Sequence, residues 1–254
     1  MINIKTPAEI DKMRKSGQVV AQVLQILKKE IKPGITTGRL NSIAEEEAKK
    51  RNAVAVFKNY PHPRGILPFP GAICTSINEE VVHGIPGKRV LQEGDLISID
   101  FGVIVDGFAG DAAITVAVGE VDPQVRKLIR VTEEALMKGI EQAQVGNRLG
   151  QVSHTIQAYA EDAGFSVVRD YVGHGIGRNM HEDPPVPNYG KADRGPVLRV
   201  GMALAIEPMV NLGTYSVYTK GDEWTVVTRD GKQSAHFEHS IAIGDQGPEI
   251  LTLI

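Results

Sequence analysis

The amino-acid sequence predicts an α+β chain in which two helix-helix-sheet halves, related by a pseudo-twofold axis, share one curved antiparallel sheet. Three observations predict it. The stretch 97–115 alternates Ile97, Ile99, Phe101 and Val103, turns at Asp106-Gly107 and returns from Phe108, which is a strong hairpin signature. Two helical patterns precede the hairpin, and the same order restarts after it at Asp122-Pro123. In the second helix of each set, Gly34, Gly38, Leu40 and Ala48 recur at one constant offset as Gly146, Gly150, Val152 and Ala160.

The elements follow in order. Thr6 suits an N-cap, Pro7 the first helical position and Glu9 a capping box, so a helix is expected over 7–30. Ile10, Met13, Gly17, Val20, Val23, Leu24 and Leu27 form its buried stripe. Lys32-Pro33-Gly34 ends it, and a second helix is expected over about 37–51. An apolar stretch at 54–57 leads into a Pro-rich loop at 60–71, and 72–77 and 80–83 read as short strands. After the hairpin, Val125, Leu128, Ile129, Thr132, Leu136 and Ile140 mark the apolar face of a third helix. No linker separates the halves, so residues 1–254 are expected to form a single domain.

Composition narrows the function classes. Over 254 residues, 42% hydrophobic and 23% charged content describe an ordinary globular chain, and a net charge of −3 gives no support for nucleic-acid binding. Cys74 is the only cysteine, so no internal disulfide can form and a reducing compartment is expected. No apolar run approaches the ~20 residues of a membrane span. The N-terminal residues open a helix and lack the apolar core of a signal peptide, which predicts a cytoplasmic protein with no membrane partner.

The hairpin also carries chemistry. A two-residue loop sets Val105 opposite Phe108 and Asp100 opposite Ala113, which puts Asp111 on the face of Asp100, one diagonal step away at roughly 7–8 Å. At ~4 Å two carboxylates repel by about 4 kcal/mol at an effective dielectric of 20, so the pair calls for a proton or a cation. Further on, the stretch 171–177 alternates glycine with side chains and presents His174, and His181 follows shortly after. Glu207 follows directly on the apolar strand pattern 202–206, and Glu238 has a similar apolar setting. A buried carboxylate needs a partner. Asp100, Asp111, His174, Glu207 and Glu238 together carry four negative charges and one neutral imidazole, which two divalent cations would balance. Oxygen-rich ligation with one nitrogen suits Mn, Fe, Co or Zn, and a pair of such ions suggests a hydrolase.

The motifs Val81-Val82-His83-Gly84-Ile85-Pro86, Asp100 with Asp111, Gly173-His174-Gly175-Ile176-Gly177, Ile206-Glu207-Pro208-Met209 and Glu238-His239 resemble, in order and over nearly the whole chain, those of bacterial type I methionine aminopeptidases. The resemblance implies the pita-bread fold and a dinuclear site. In that site Asp111 and Glu238 bridge two divalent ions, Asp100 binds one, and His174 with Glu207 binds the other. The implied reaction removes the initiator methionine from nascent polypeptides when the second residue is small, with transient proximity to the ribosome and a monomeric enzyme. Glu207 would shuttle the proton, His181 would stabilise the oxyanion and His83 would help place the substrate. The methionine pocket would be lined by Phe69, Cys74, His83 and Trp224, with Ile66 and Met180 standing where the family often has aromatic rings. An ideal hairpin at Asp230-Gly231 would set Trp224 opposite Phe237, on the face away from Glu238, so its pocket role requires a bulge or a longer loop. Proline-specific aminopeptidases share the five ligands but usually carry a large additional N-terminal domain. A peptide-binding relative without activity would usually have lost metal ligands.

Overall fold

The computed structural model describes residues 1–62 and 67–253. The first half contains α1 (Pro7–Glu30), α2 (Thr37–Lys50), β1 (Val54–Ala55), β2 (Cys74–Ile77), β3 (Glu80–Val82), β4 (Leu96–Val105) and β5 (Phe108–Ala117). The second contains α3 (Pro123–Glu141), α4 (Leu149–Asp162), β6 (Ser166–Val167), β7 (Gly173–Gly175), β8 (Glu182–Val186), β9 (Ala203–Ile206), β10 (Met209–Asn211), β11 (Val217–Thr219), β12 (Val226–Thr228), β13 (Ser234–His236), β14 (Glu238–Gly244) and β15 (Gly247–Ile250).

Local chemistry sets the helix ends. The Thr6 side chain accepts from the Glu9 N–H while the Glu9 carboxylate accepts from the Thr6 N–H, the reciprocal capping box that starts α1. Asp122 caps α3 in the simpler way, accepting from the Gln124 N–H at 2.7 Å, with Pro123 in the first helical turn. Gly17 lies where α1 meets β5: a Cβ on Gly110 would sit 2.7 Å from the Gly17 nitrogen, so Gly110 lets helix and strand backbones approach closely, while a Cβ on Gly17 itself would meet the Leu251 carbonyl.

The principal sheet has nine strands along the path β1-β4-β5-β14-β9-β7-β8, with β15 on β14 and β2 on β4. Its pairings are antiparallel throughout. Two smaller sheets, β13-β10-β6 and β11-β12-β3, flank it. In β4 the side chains of Ile97, Ile99, Phe101 and Val103 enter the core formed with Val20, Leu24 and Leu27 of α1 and Leu40 and Ala44 of α2. Each such side chain contributes about 1.5–3 kcal/mol on burial, so the helices anchor this face. The alternate residues Ser98 and Asp100 are thereby turned to the opposite face.

The duplication seen in the sequence has a structural counterpart. The N–H of Gly34 donates to Leu91 O at 2.8 Å and that of Gly146 donates to Leu198 O at 3.0 Å. Isolated bridges join Thr36 to Val90 and Arg148 to Val197, one in each half. Leu40 and Val152, and Ala48 and Ala160, are buried in pairs.

One local expectation is corrected. The residues on either side of Asp230-Gly231 do not form a hairpin: β12 pairs with β11 and β3, whereas β13 pairs with β10. The two strands diverge into different sheets, so Trp224 and Phe237 are not cross-strand neighbours; the β12–β3 pairing shifts register at Val226/Val227, just after Trp224.

Candidate metal centre

Register alone brings the acidic residues to one face. Along the β4–β5 ladder Asp100 pairs with Ala113 and Gly102 with Asp111, so both aspartates point the same way. Glu238 pairs with the same Ala113 from the other side. In the next ladder Ser240, two residues along β14, pairs with Ala205, and Ala205 pairs with His174. Glu207 stands two residues beyond Ala205, just past the end of β9. The alternation of a strand therefore assigns Asp100, Asp111, His174 and Glu238 to one sheet face, with Glu207 at its end.

Side-chain geometry agrees with the ladder. Ligand atoms of Asp111, His174 and Glu238 all lie within 4.8 Å of one another. His174 Nε2 is 3.7 Å from Glu207 Oε1, and His236 Nε2 is 3.6 Å from Glu207 Oε2. Nδ1 of His174 is 2.9 Å from the Gly175 carbonyl, an N–H donation that leaves Nε2 free as a ligand.

The electrostatics are those of a site built for cations. Burial pushes Asp100 up to about 7 and Glu207 up to about 8. It also drives Asp111 and Glu238 well above the usual carboxylate range, with the neighbouring carboxylates adding to the effect. Burial lowers His174 to about 4, which keeps its imidazole neutral as a ligand must be. Asp100 Oδ1, Asp111 Oδ1, Glu238 Oε1 and His236 Nε2 are buried without a hydrogen-bond partner. Orphaned carboxylate oxygens at this density are costly unless a cation takes them, and a nitrogen and several oxygens suit divalent first-row ions. The residues present therefore fit such ions.

Beside the cluster lies a cavity of about 370 Å³, walled by the four carboxylates on one side and by Phe69, Cys74, His83, Tyr171, Met209 and Trp224 on the other. Cys74 pairs with Asp100 across β2 and β4, which explains its place here, and burial pushes its thiol well up, away from nucleophilic use. Trp224 is turned in by a loop in which Asp222 accepts from the Trp224 and Thr225 N–H groups. Its indole meets Phe69 edge-on at 5.3 Å between centroids, and its N–H donates to Leu67 O at 3.1 Å. His83 follows β3 with a left-handed φ of 59°, a conformation few non-glycine residues adopt. His181 also lines the cavity, its ring 4.3 Å from that of His174.

One expected pocket residue, Met180, is not among those that wall the cavity. Met180 packs with Met13, Phe108 and Ile176 in a separate apolar cluster, its terminal methyl filling the space that a side chain on Gly102 would need. That contact is with β4, the strand carrying Asp100. Ile66 lies outside the described residues. Tyr60, Tyr171, Met209 and His236 were not singled out by sequence reasoning. Tyr60 stands in the Pro-rich loop, its hydroxyl 2.7 Å from His181 Nδ1, and nothing local in the sequence links the two. For His236 the available signal was its spacing: it lies two residues before Glu238, as Met209 lies two residues after Glu207.

The model of metallopeptidase family M24 matches residues 11–245. A methionine aminopeptidase of Clostridium acetobutylicum is 57% identical over 100% of this chain and 99% of its own length. Methionine aminopeptidase 1 of Bacillus subtilis is 53% identical, with both chains covered in full. Among solved structures, methionine aminopeptidase of Thermotoga maritima superposes with a TM-score of 0.96 at 50% identity, covering 100% of both chains. An Xaa-Pro dipeptidase of Bacillus anthracis shares the fold, with a TM-score of 0.77 at 22% identity over 98% of this chain and 61% of that one. The chain belongs to metallopeptidase family M24, and within it to the bacterial methionine aminopeptidases.

Proposed function

We propose that this metallopeptidase removes the amino-terminal methionine of nascent polypeptides whose second residue is small, using two divalent cations held by Asp100, Asp111, His174, Glu207 and Glu238. The observation that carries this reading is the convergence of those five side chains, from both halves of the chain, beside a cavity of about 370 Å³ whose other wall includes Phe69, Cys74, Met209 and Trp224. Two cations bound there would lower the pKa of water toward ~7 and polarise the scissile carbonyl. The identity of the ions, among Mn, Fe, Co and Zn, follows their availability as well as the donors.

The protein's own groups supply the rest. Phe69, Cys74 and Trp224 receive the methionine side chain and exclude water from it; with cations held at the carboxylate wall, a free α-amine would have a cation to bind there, which favours exopeptidase action. Glu207, whose Oε2 lies on the side away from His174, takes a proton from the attacking water and returns it to the departing amine. His181, with Tyr60 at Nδ1, presents an Nε2 proton to the oxygen that gains charge. His83, kept neutral at about 4 by burial, orients the substrate backbone. The setting this implies is a cytoplasmic enzyme that meets chains as they leave the ribosome.

The test is release of the first residue from matched peptides beginning Met-Ala, Met-Leu, Leu-Ala and Ala-Pro, with protein reloaded separately with each ion. Met-Ala cleaved far above the others is the expected result. Preference for Ala-Pro would move the chain to the proline-specific branch, and inactivity with every ion would leave a binding protein.

A further inference from the structure

His236 is held more firmly than a spare residue needs to be. It lies in β13 opposite Met209 and is 1% exposed. Its N–H donates to Thr115 Oγ1 at 2.9 Å, and its carbonyl accepts from the same hydroxyl at 2.6 Å. Thr115 belongs to β5, the strand that carries Asp111, so the imidazole is fixed relative to the carboxylate cluster. Yet Nε2 has no hydrogen-bond partner. A buried ring nitrogen left without one costs on the order of 1–3 kcal/mol, which points to a partner acquired in the working enzyme.

Glu207 stands between two imidazoles, one to each oxygen. His174 Nε2 faces Oε1 at 3.7 Å and His236 Nε2 faces Oε2 at 3.6 Å. Both gaps exceed a hydrogen bond. The gap to His174 is one that a shared cation fills, since both atoms are ligands. The gap to His236 closes to hydrogen-bonding distance with a shift of a few tenths of an ångström. We infer that His236 is a positioning residue for Glu207: with its proton on Nε2, it donates to Oε2 and so turns Oε1 toward the cation shared with His174. Oε2 keeps a second lone pair for the proton moved in the reaction. The inference rests on the metal-centred reading given above.

Glutamine and asparagine separate this role from mere packing, because a glutamine amide reaches the position of Nε2 and an asparagine amide reaches only that of Nδ1. The full-length chain, stripped with chelator, is titrated with Mn²⁺ by calorimetry and loaded with Co²⁺ for its visible spectrum, in the unmodified form and as His236→Asn and His236→Gln. His236→Asn is expected to weaken binding of one of the two ions about tenfold and to alter the Co²⁺ absorption, with a fall in kcat at nearly constant KM. His236→Gln is expected to restore affinity to within about threefold and to return the spectrum. A His236→Asn protein that binds Mn²⁺ and absorbs as the unmodified chain does would overturn the inference, as would a glutamine variant no better than the asparagine one. An unmodified chain that binds no Mn²⁺ would instead overturn the metal-centred reading itself, so the two failures are distinct.

Discussion

The Tyr60 hydroxyl lies 2.7 Å from Nδ1 of His181, joining the Pro-rich loop of the first half to a cavity-lining histidine of the second. A phenol that donates to Nδ1 leaves the imidazole proton on Nε2, the nitrogen available to substrate. Tyr60→Phe keeps the ring and removes the donor. It is expected to lower kcat about fivefold, the equivalent of about 1 kcal/mol, with KM little changed. Steady-state kinetics on a Met-Ala peptide measures it, and an unchanged kcat would show that the tautomer is set by something else.

Glu207→Gln retains shape and one ligating oxygen but accepts no proton. Turnover is expected to fall by roughly 10²–10⁴. Metal content determined on the same sample separates lost proton transfer from lost ions, and near-normal turnover in a fully loaded variant would remove Glu207 from its proposed role.

Metal removal should make stability depend on pH in a definite direction. In the folded, metal-free chain Asp100 is raised to about 7 and Glu207 to about 8, and burial drives Asp111 and Glu238 well above the usual carboxylate range, with the neighbouring carboxylates adding to it. These folded-state values exceed those of the unfolded chain, so the folded state binds more protons through this range. The carboxylates' contribution to stability is therefore full below the ordinary carboxylate range near pH 4 and is lost as pH rises toward about 8. The buried imidazoles of His83, His174 and His239, lowered to about 4, oppose it as pH falls below the ordinary imidazole range, and the four carboxylates outnumber them. Thermal unfolding of chelated protein should give a lower Tm at pH 8 than at pH 5, and saturating Mn²⁺ should restore the Tm at pH 8. A chelated chain more stable at pH 8 would contradict the account.

Trp224 closes the outer wall of the cavity, edge-on to Phe69 at 5.3 Å and to His62 at 4.8 Å. Trp224→Ala is expected to raise KM for Met-Ala peptides by roughly tenfold, about 1.4 kcal/mol, through lost apolar contact with the methionine side chain. Replacing methionine by norleucine in the substrate should give the same relative loss if the contact is apolar; a loss confined to kcat would argue for a different role.

Lys5 and Glu182 form an ion pair of 2.9 Å with both side chains only 5% exposed. Glu182 also accepts from the Asn179 N–H, shaping the turn that presents His181. Lys5→Met leaves the carboxylate buried and unpaired and is expected to cost about 3–5 kcal/mol in denaturant unfolding. Lys5→Met with Glu182→Gln should recover much of that loss; a double variant as unstable as the single one would show that packing, not charge, is at issue.

The parts of the fold that local chemistry decides are legible in the sequence. Thr6, Pro7 and Glu9 start α1, and Asp106-Gly107 sets a hairpin register that puts Asp100 and Asp111 on one face. The matched glycines reveal the duplication, and the apolar settings of Glu207 and Glu238 mark them as exceptional. What stays hidden is the choice of partner over long range. Val227 and Ala235 flank an ideal turn sequence, yet Val227 pairs with Glu80 and Tyr218 while Ala235 pairs with Val210. The same limit applies to Tyr60 beside His181 and to His236 beside Glu207, contacts that exist only once distant strands are packed. Met180 is expected in the pocket by resemblance, but its side chain packs with Met13, Phe108 and Ile176 instead.

The join between β5 and β14 divides the cluster between the halves, with Asp100 and Asp111 on one side and His174, Glu207 and Glu238 on the other. Neither half carries the full donor set. Cations bound there would therefore act as a rivet across the duplication: their binding energy would add to the adhesion of the halves, and any strain that parts them would also have to expel the ions. Cut between residues 119 and 122, the two pieces should complement each other more strongly in Mn²⁺ than in chelator, so that recovery of hydrolysis would count how many pairs had closed.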